Sequence, residues 1–177
     1  MHYLKNHTWD LVTLPPRKSV VGCKWIYKIK IRSNGSIECY KTRLVAKGFT
    51  QEYGIDYEET FAPVAHISSV RALLAVAAAS KWDLFQMDVK NAFLNGDLSE
   101  EFYMQPPPSL SINSNKVCHH RRALYGLKQA PRAWFAKFSS TISRLGYMAS
   151  YYNSAVFLRR TNVDTLFCNP YLTSHGG

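Results

Sequence analysis

Val21, Cys23, Trp25, Tyr27, Ile29 and Ile31 put an apolar side chain at every second position of the stretch VVGCKWIYKIKI, and Lys24, Lys28 and Lys30 share the opposite face with Ile26. A period of two is the spacing of a strand with one face buried, so a strand is predicted over Val20–Ile31. Asn34-Gly35 follows, a pair that tolerates positive φ at both positions and suits a two-residue hairpin turn. The return strand is predicted from about Ile37 to Ala46, carrying Lys41 and Arg43, with Lys47 just beyond.

The rest of the pattern mixes both periods. Residues Gln51 to Pro63 (QEYGIDYEETFAP) read as an irregular acidic loop. Ser68 and Ser69 are placed to cap a helix through VRALLAVAAASKW. LFQMDV reads as a strand with Asp88 pointing away from the face of Phe85, Met87 and Val89. Pro106 to Asn115 reads as a loop. Pro131 suits the first turn of a helix in which Trp134, Phe135, Phe138, Ile142 and Leu145 recur at helical spacing as core, ended by Gly146. Ala155 to Leu158 is a short strand. Strands and helices without regular βαβ alternation give an α+β class.

Composition narrows the setting. The chain has 177 residues, 46% hydrophobic and 19% charged, which fits a folded domain and not a disordered chain. The longest apolar run, Ala72 to Ala79, is far shorter than a membrane span, and no secretory signal is visible at the start. Cys23, Cys39, Cys118 and Cys168 form no CxxC pair, so neither a zinc site nor a disulfide framework is supported and a reducing intracellular setting is expected. Cys118-His119-His120 and the acidic pairs Glu58-Glu59 and Glu100-Glu101, both read as loop residues, are assigned no chemical role.

Charge changes the picture. The net charge is +10, but it is unevenly spread. Residues 17–47 hold nine basic residues and one acid; 48–101 hold three basic and nine acidic residues; 102–163 hold nine basic residues and no acid. Two basic blocks around an acidic middle suit a polyanion held beside carboxylates.

Three long segments, RLVAKGFTQEYGIDYEETFAPVA (Arg43 to Ala65), QMDVKNAFLNGDL (Gln86 to Leu98) and ALYGLKQAPRAWF (Ala123 to Phe135), together resemble the reverse transcriptase domain of copia-type retrotransposon Pol polyproteins. WDLVTLPP and VGCKWIYKIK fit the same pattern, so the resemblance runs from about residue 8 to 160. It implies right-hand polymerase fingers and a partial palm, an antiparallel sheet backed by helices. The expected division is a lead-in at 1–16, the reverse transcriptase domain at 17–160 and an atypical tail at 161–177. The implied reaction is RNA-directed DNA synthesis by two-metal nucleotidyl transfer with Mg²⁺, acting on an RNA or DNA primer–template and a dNTP, in a cytoplasmic particle or the nucleus, without a membrane.

The resemblance also assigns roles. Asp88 matches the first catalytic aspartate and metal ligand, joined by the backbone carbonyl of Val89. Phe93 matches the aromatic gate against a ribose 2′-hydroxyl. Gln129 matches a glutamine beside the incoming nucleotide. Lys41 and Arg43 are candidates for its triphosphate, since guanidinium and ammonium groups pair with phosphate oxygens. Tyr125 and Lys128 are candidates for template contact.

The chain departs from the family pattern after SAVFLRR, where two adjacent aspartates are expected. It has six aspartates and no two are adjacent, and Asn153 stands where an aspartate is expected. The expectation is a truncated chain, inactive alone, lacking the remaining palm, thumb and ribonuclease H portions. The alternatives are a residual nucleic-acid-binding module and an unstable gene-model product.

Overall fold

The computed structural model describes residues 7–85, 88–108, 110, 115–161 and 165–168. They form two compact units, one drawn from Met1–Phe61 and Phe93–Trp134, the other from Ala62–Ala92 and Phe135–Gly177. Strands and helices are both present, and the α+β class holds.

The first unit contains a three-stranded antiparallel sheet and a long hairpin. The sheet runs in the order β1 (Trp9–Thr13), β5 (Lys116–Arg122), β4 (Asp97–Met104), with Trp9 opposite His120 on one side and Phe102 opposite His120 on the other. Glu100 and Glu101 therefore lie in a strand, not a loop. The acidic alternation of β4 hid it: its outer half alternates with exposed charge, and only Phe102, Tyr103 and Met104 are buried in succession. Val21 pairs with the edge of this end of β4: its N–H donates to the Tyr103 carbonyl (3.0 Å) and its own carbonyl accepts from the Gln105 N–H (2.9 Å). Phe102, Met104, Cys118, Leu44 and Leu124 make the centre of this core.

The hairpin is β2 (Cys23–Ile31) and β3 (Ile37–Ala46), as the period-two pattern predicts. Its turn differs from the expected two-residue form. The Gly35 N–H donates to the Arg32 carbonyl (2.9 Å), the Arg32 N–H to Ser36 (2.8 Å), and of the turn residues only Gly35 has positive φ, at 82°. This is a three-residue loop with glycine in the left-handed position. Asn34 keeps negative φ because its side-chain oxygen is committed to Ser36, accepting from the N–H (3.0 Å) and the hydroxyl (2.6 Å).

The apolar face is buried only at the hairpin's base. Cys23, Leu44 and Ala46 join the core, whereas Tyr27, Ile29, Ile31 and Tyr40 are exposed, Tyr27 by 74%. A nine-residue strand spans about 30 Å, and only its base meets the core, so the outer half stays exposed.

In the second unit, α1 (Ile67–Ala79) begins earlier than the serine signal predicts. Its N-cap is His66, with no side-chain cap bond, and Ser68 and Ser69 lie inside the first turn. Its end closes with the Trp82 N–H on the Ala77 carbonyl (2.9 Å) and Lys81 at φ 54°. Helix α2 (Ala130–Arg144) ends the same way with Gly146 at φ 85°, as expected. Strands β6 (Met148–Ala149), β7 (Phe157–Arg160) and β8 (Thr165–Cys168) form an antiparallel sheet in that order. Phe135 and Phe138 of α2 pack on buried Phe157, with ring centroids 6.1 and 5.7 Å apart, so these two rings are core as predicted. Leu145, predicted on the same stripe, is 58% exposed because it lies past the helix end. No strand covers the described part of LFQMDV: Leu84, Phe85, Asp88 and Val89 are irregular and exposed, and Gln86 and Met87 lie outside the described residues. Among the described residues no helix is long and apolar enough to cross a membrane.

Candidate functional site

Strand register decides which side chains share a face. In the hairpin Lys28 is paired with Lys41, Ile26 with Arg43, Lys24 with Val45 and Lys30 with Cys39. Directly paired residues point to the same side of an antiparallel ribbon. Lys24, Lys28, Lys30, Lys41 and Arg43 therefore form one basic face, shared with Ile26, and the exposed Tyr27, Ile29 and Tyr40 lie on the other.

At the base of that face the chain segment 123–129 docks. The Ala46 N–H donates to the Tyr125 carbonyl (2.8 Å), and Val45 and Tyr125 form a parallel bridge. The approach requires glycine at two positions. Gly126 has φ 89°, and a β-carbon on it would overlap the Ala46 carbonyl; a β-carbon on Gly48 would overlap the Gly126 carbonyl. The docking sets the Tyr125 ring under the Arg43 guanidinium, whose carbon lies 5.5 Å from the ring centroid. Phe93, in the short helical turn Ala92–Asn95, meets the same ring edge to face at 4.9 Å. Arg43, Tyr125 and Phe93 are each half-buried. A cation, a ring face and a second ring thus stand together at the root of a basic ribbon.

Gln129, which the resemblance sets beside a nucleotide, lies in the turn that precedes α2. It is 1% exposed, and both ends of its carboxamide are engaged. Its Oε1 accepts from Gln51 Nε2 (3.0 Å) and its Nε2 donates to the Asp56 carbonyl (3.2 Å). Gln51 in turn accepts from the Lys128 N–H at Oε1 (2.9 Å). The Lys128 ammonium donates to the Gln51 carbonyl (3.0 Å) and the Tyr57 hydroxyl (3.3 Å) and lies 4.9 Å from the Tyr57 ring centroid. The Asp56 carboxylate accepts from the Glu52 N–H (2.9 Å) and the Ser19 hydroxyl. Sequence reading missed Gln51 and Asp56. The signal was present in QEYGIDY, but polar residues in an acidic loop read as solvated.

Asp88 and Val89 belong to the other unit and are exposed. Among the described residues no group of three or more His, Cys, Asp and Glu side chains could hold a metal ion. A lone exposed carboxylate does not fit a pair of divalent ions about 3.5–4 Å apart, which needs several hard oxygen ligands. Asn153, in the place of an expected aspartate, serves a turn: its Oδ1 accepts from the Ala155 N–H (3.1 Å) and leads the chain into β7.

A family model described as reverse transcriptase (RNA-dependent DNA polymerase) matches residues 6–173. The chain is 44% identical over 170 residues to the Retrovirus-related Pol polyprotein from transposon RE1 of Arabidopsis thaliana. It is 43% identical over 170 residues to that from transposon RE2 of the same plant. Both alignments cover 94% of this chain and 12% of the relative. The polyprotein from transposon TNT 1-94 of Nicotiana tabacum is 44% identical over 158 residues, 88% of this chain and 12% of the relative. The chain thus spans about an eighth of the length of these curated relatives. No solved structure matches it significantly.

Proposed function

The chain belongs to the reverse transcriptase family, in the copia-type group of retrotransposon Pol polyproteins, and from this premise we propose that it supplies the nucleotide- and template-holding part of an RNA-directed DNA polymerase. The hairpin is its fingers, and the segment bearing Asp88 and Val89 is part of a right-hand palm. The supporting observation is the cluster of Arg43, Tyr125 and Phe93 at the root of a face with four lysines.

The chemistry of that cluster suits a deoxynucleoside triphosphate. Arg43, with Lys41 on the same strand face, offers planar and point donors to phosphate oxygens. Phe93 and Tyr125 offer ring surface on which a sugar packs, and a ring in that place excludes an added hydroxyl by contact. Lys24, Lys28 and Lys30 extend the positive face along the ribbon, where a nucleic-acid backbone releases counterions on binding. Asp88 is the family's catalytic carboxylate, and Mg²⁺ is the family's expected ion. Because the described residues present no group of three or more ligands for a divalent ion, the chain by itself holds substrate without extending a primer on this reading.

The test is a salt titration of primer–template binding by fluorescence anisotropy, run beside a primer-extension assay. Binding should fall with log salt at a slope of about −2 to −4, as expected if two to four of the five hairpin cations meet phosphates. A slope near zero would overturn the binding role. Extension lost in Asp88→Ala would overturn the claim that this chain does not catalyse.

A further inference from the structure

We propose a second nucleic-acid site, built by the chain between the end of α2 and β7: Tyr151 and Tyr152 stack the bases of an unpaired strand, and Arg144 and Arg159 hold its phosphates. It rests on the reading of the chain as a nucleic-acid binder, but not on the pocket at Arg43.

The connection from β6 to β7 carries two rings that the described residues leave uncovered. Tyr151 is 96% and Tyr152 94% exposed, with centroids 5.4 Å apart and ring planes at 85°. The backbone around them is fixed. The Ser150 N–H donates to the Val156 carbonyl (2.8 Å), the Val156 N–H to the Asn153 carbonyl (2.9 Å) and the Ala155 N–H to Asn153 Oδ1 (3.1 Å), and Ala155 is buried. Both rings are therefore held out to solvent. Exposed aromatic rings are platforms for bases, because every base has a π-face. Two successive rings at right angles cannot both lie against neighbouring bases that stay stacked on each other. They suit a strand that is unpaired and turned, not a duplex.

Two arginines meet at the root of the same connection. The Arg159 guanidinium carbon lies 6.0 Å from the Tyr147 ring centroid, and its side chain runs over Gly146, where an added β-carbon would come to 3.6 Å from Nε. Arg144 is two positions before Gly146, in the last turn of α2. From Tyr147 to Tyr151 the chain reaches at most about 14 Å, so a strand of a few nucleotides meets both cations and rings. The charge selects an anionic partner. Residues 102–163 contain no acid, and no ion pair among the described residues uses Arg144, Arg159 or Arg160. Guanidinium groups beside open rings, without a carboxylate, favour a polyanion with flat groups to stack.

The test is fluorescence anisotropy of the full chain with two labelled probes, an oligothymidylate of about 12 nucleotides and a duplex of the same length. A Lys28→Ala/Lys41→Ala background, run in parallel, weakens the hairpin face. Tyr151→Ala and Tyr152→Ala should each weaken single-strand binding about tenfold, the loss of one stacked base, and leave duplex binding within about twofold. The salt slope should not change in either. Tyr151→Phe and Tyr152→Phe, which keep the ring, should bind as the unaltered chain does. Arg159→Ala should reduce the single-strand slope by about 0.7, one phosphate contact. Both tyrosines are exposed, so their replacement leaves the fold intact, which urea unfolding checks. Unchanged single-strand affinity in both Tyr→Ala variants, in both backgrounds, would overturn the proposal, as would an equal loss for the duplex. Tyr→Ala variants that split a self-associated chain in sedimentation, with oligothymidylate binding unchanged, would make the rings an interface between copies and overturn it too. If the Lys28→Ala/Lys41→Ala chain binds no single strand, the hairpin reading stands and this proposal falls. If the unaltered chain binds neither probe, both fall.

Discussion

Gly48 and Gly126 stand back to back, so close that a β-carbon on Gly48 would run into the Gly126 carbonyl. One glycine opens the short helical turn Gly48–Thr50 that follows β3, and the other sits in the segment 123–129. Their contact is backbone against backbone, with no flexible side chain to give way. Gly48→Ala and Gly126→Ala should therefore each destabilise the fold by at least about 3 kcal/mol, Gly48 through overlap alone and Gly126 through overlap added to a positive φ. Gly35→Ala is the comparison. Gly35 also has positive φ, but nothing lies within 4 Å of its missing β-carbon, so the cost should stay near 1–2 kcal/mol. Urea unfolding of the three variants distinguishes the two cases, and equal losses would show that conformation alone, not close approach, sets the cost.

His120 makes stability pH-dependent. It is 2% exposed, with the Trp9 and Phe102 ring centroids 5.2 and 5.4 Å away. By hydrogen-bond geometry neither ring nitrogen is paired among the described residues. Burial holds the imidazole neutral and pushes its pKa down to about 4; the nearby Arg122 backbone opposes this and His119 adds to it. The folded value lies below the unfolded one, so this contribution is whole above pH 6.5. It is lost as pH falls toward 4, where the unfolded chain takes a proton that the folded chain refuses. Between pH 7.5 and 5 the loss should be about 2 kcal/mol by linkage. His120→Phe should flatten that part of the profile in urea unfolding at a series of pH values. An unchanged slope would place the dependence elsewhere.

How much of this was legible in the sequence depended on whether periodicity or contact decided the outcome. The hairpin was legible because alternation over nine residues with a turn signal has one solution. The end of α2 at Gly146 was legible because glycine is the default left-handed residue. Strand β4 was not, since SEE within it reads as solvated loop and one of its edge partners, Val21, lies some 80 positions earlier. The start of α1 was misread for a different reason: serines signal caps, but His66 ends the extended chain before them. At the candidate site, Lys41, Arg43 and Phe93 could be named by resemblance. That Tyr125 lies between Arg43 and Phe93, and that Gln129 is spent on Gln51, depends on long-range packing that no local spacing encodes.

The cation above Tyr125 makes a further prediction. Arg43 lies over the ring, and the two lysines that flank it along the face, Lys41 and Val45's partner Lys24, do not share that contact. Arg43→Lys keeps the charge but loses the planar fork and most of the stacking. It should weaken triphosphate binding about tenfold and leave the salt slope of primer–template binding within about 0.3. Arg43→Ala should lower the slope by about 1 as well, because one phosphate contact is gone. If Arg43→Lys binds triphosphate as tightly as the unaltered chain, the guanidinium geometry has no part in recognition.

Lys81 carries the last prediction. It occupies the position after α1 where φ is 54°, and it closes the helix through its N–H on Ala78 (3.3 Å) with Trp82 on Ala77 (2.9 Å). This is the geometry that Gly146 supplies at the end of α2, but here with a side chain whose β-carbon disfavours it. Lysine charge near a helix C-terminus recovers a few tenths of a kcal/mol through the dipole, less than the strain. Lys81→Gly should therefore stabilise the chain by about 0.5–1 kcal/mol in urea unfolding, while Lys81→Ala, which keeps the β-carbon and loses the charge, should not stabilise it. A Gly variant no more stable than the Ala variant would show that Lys81 has contacts that outweigh its backbone strain.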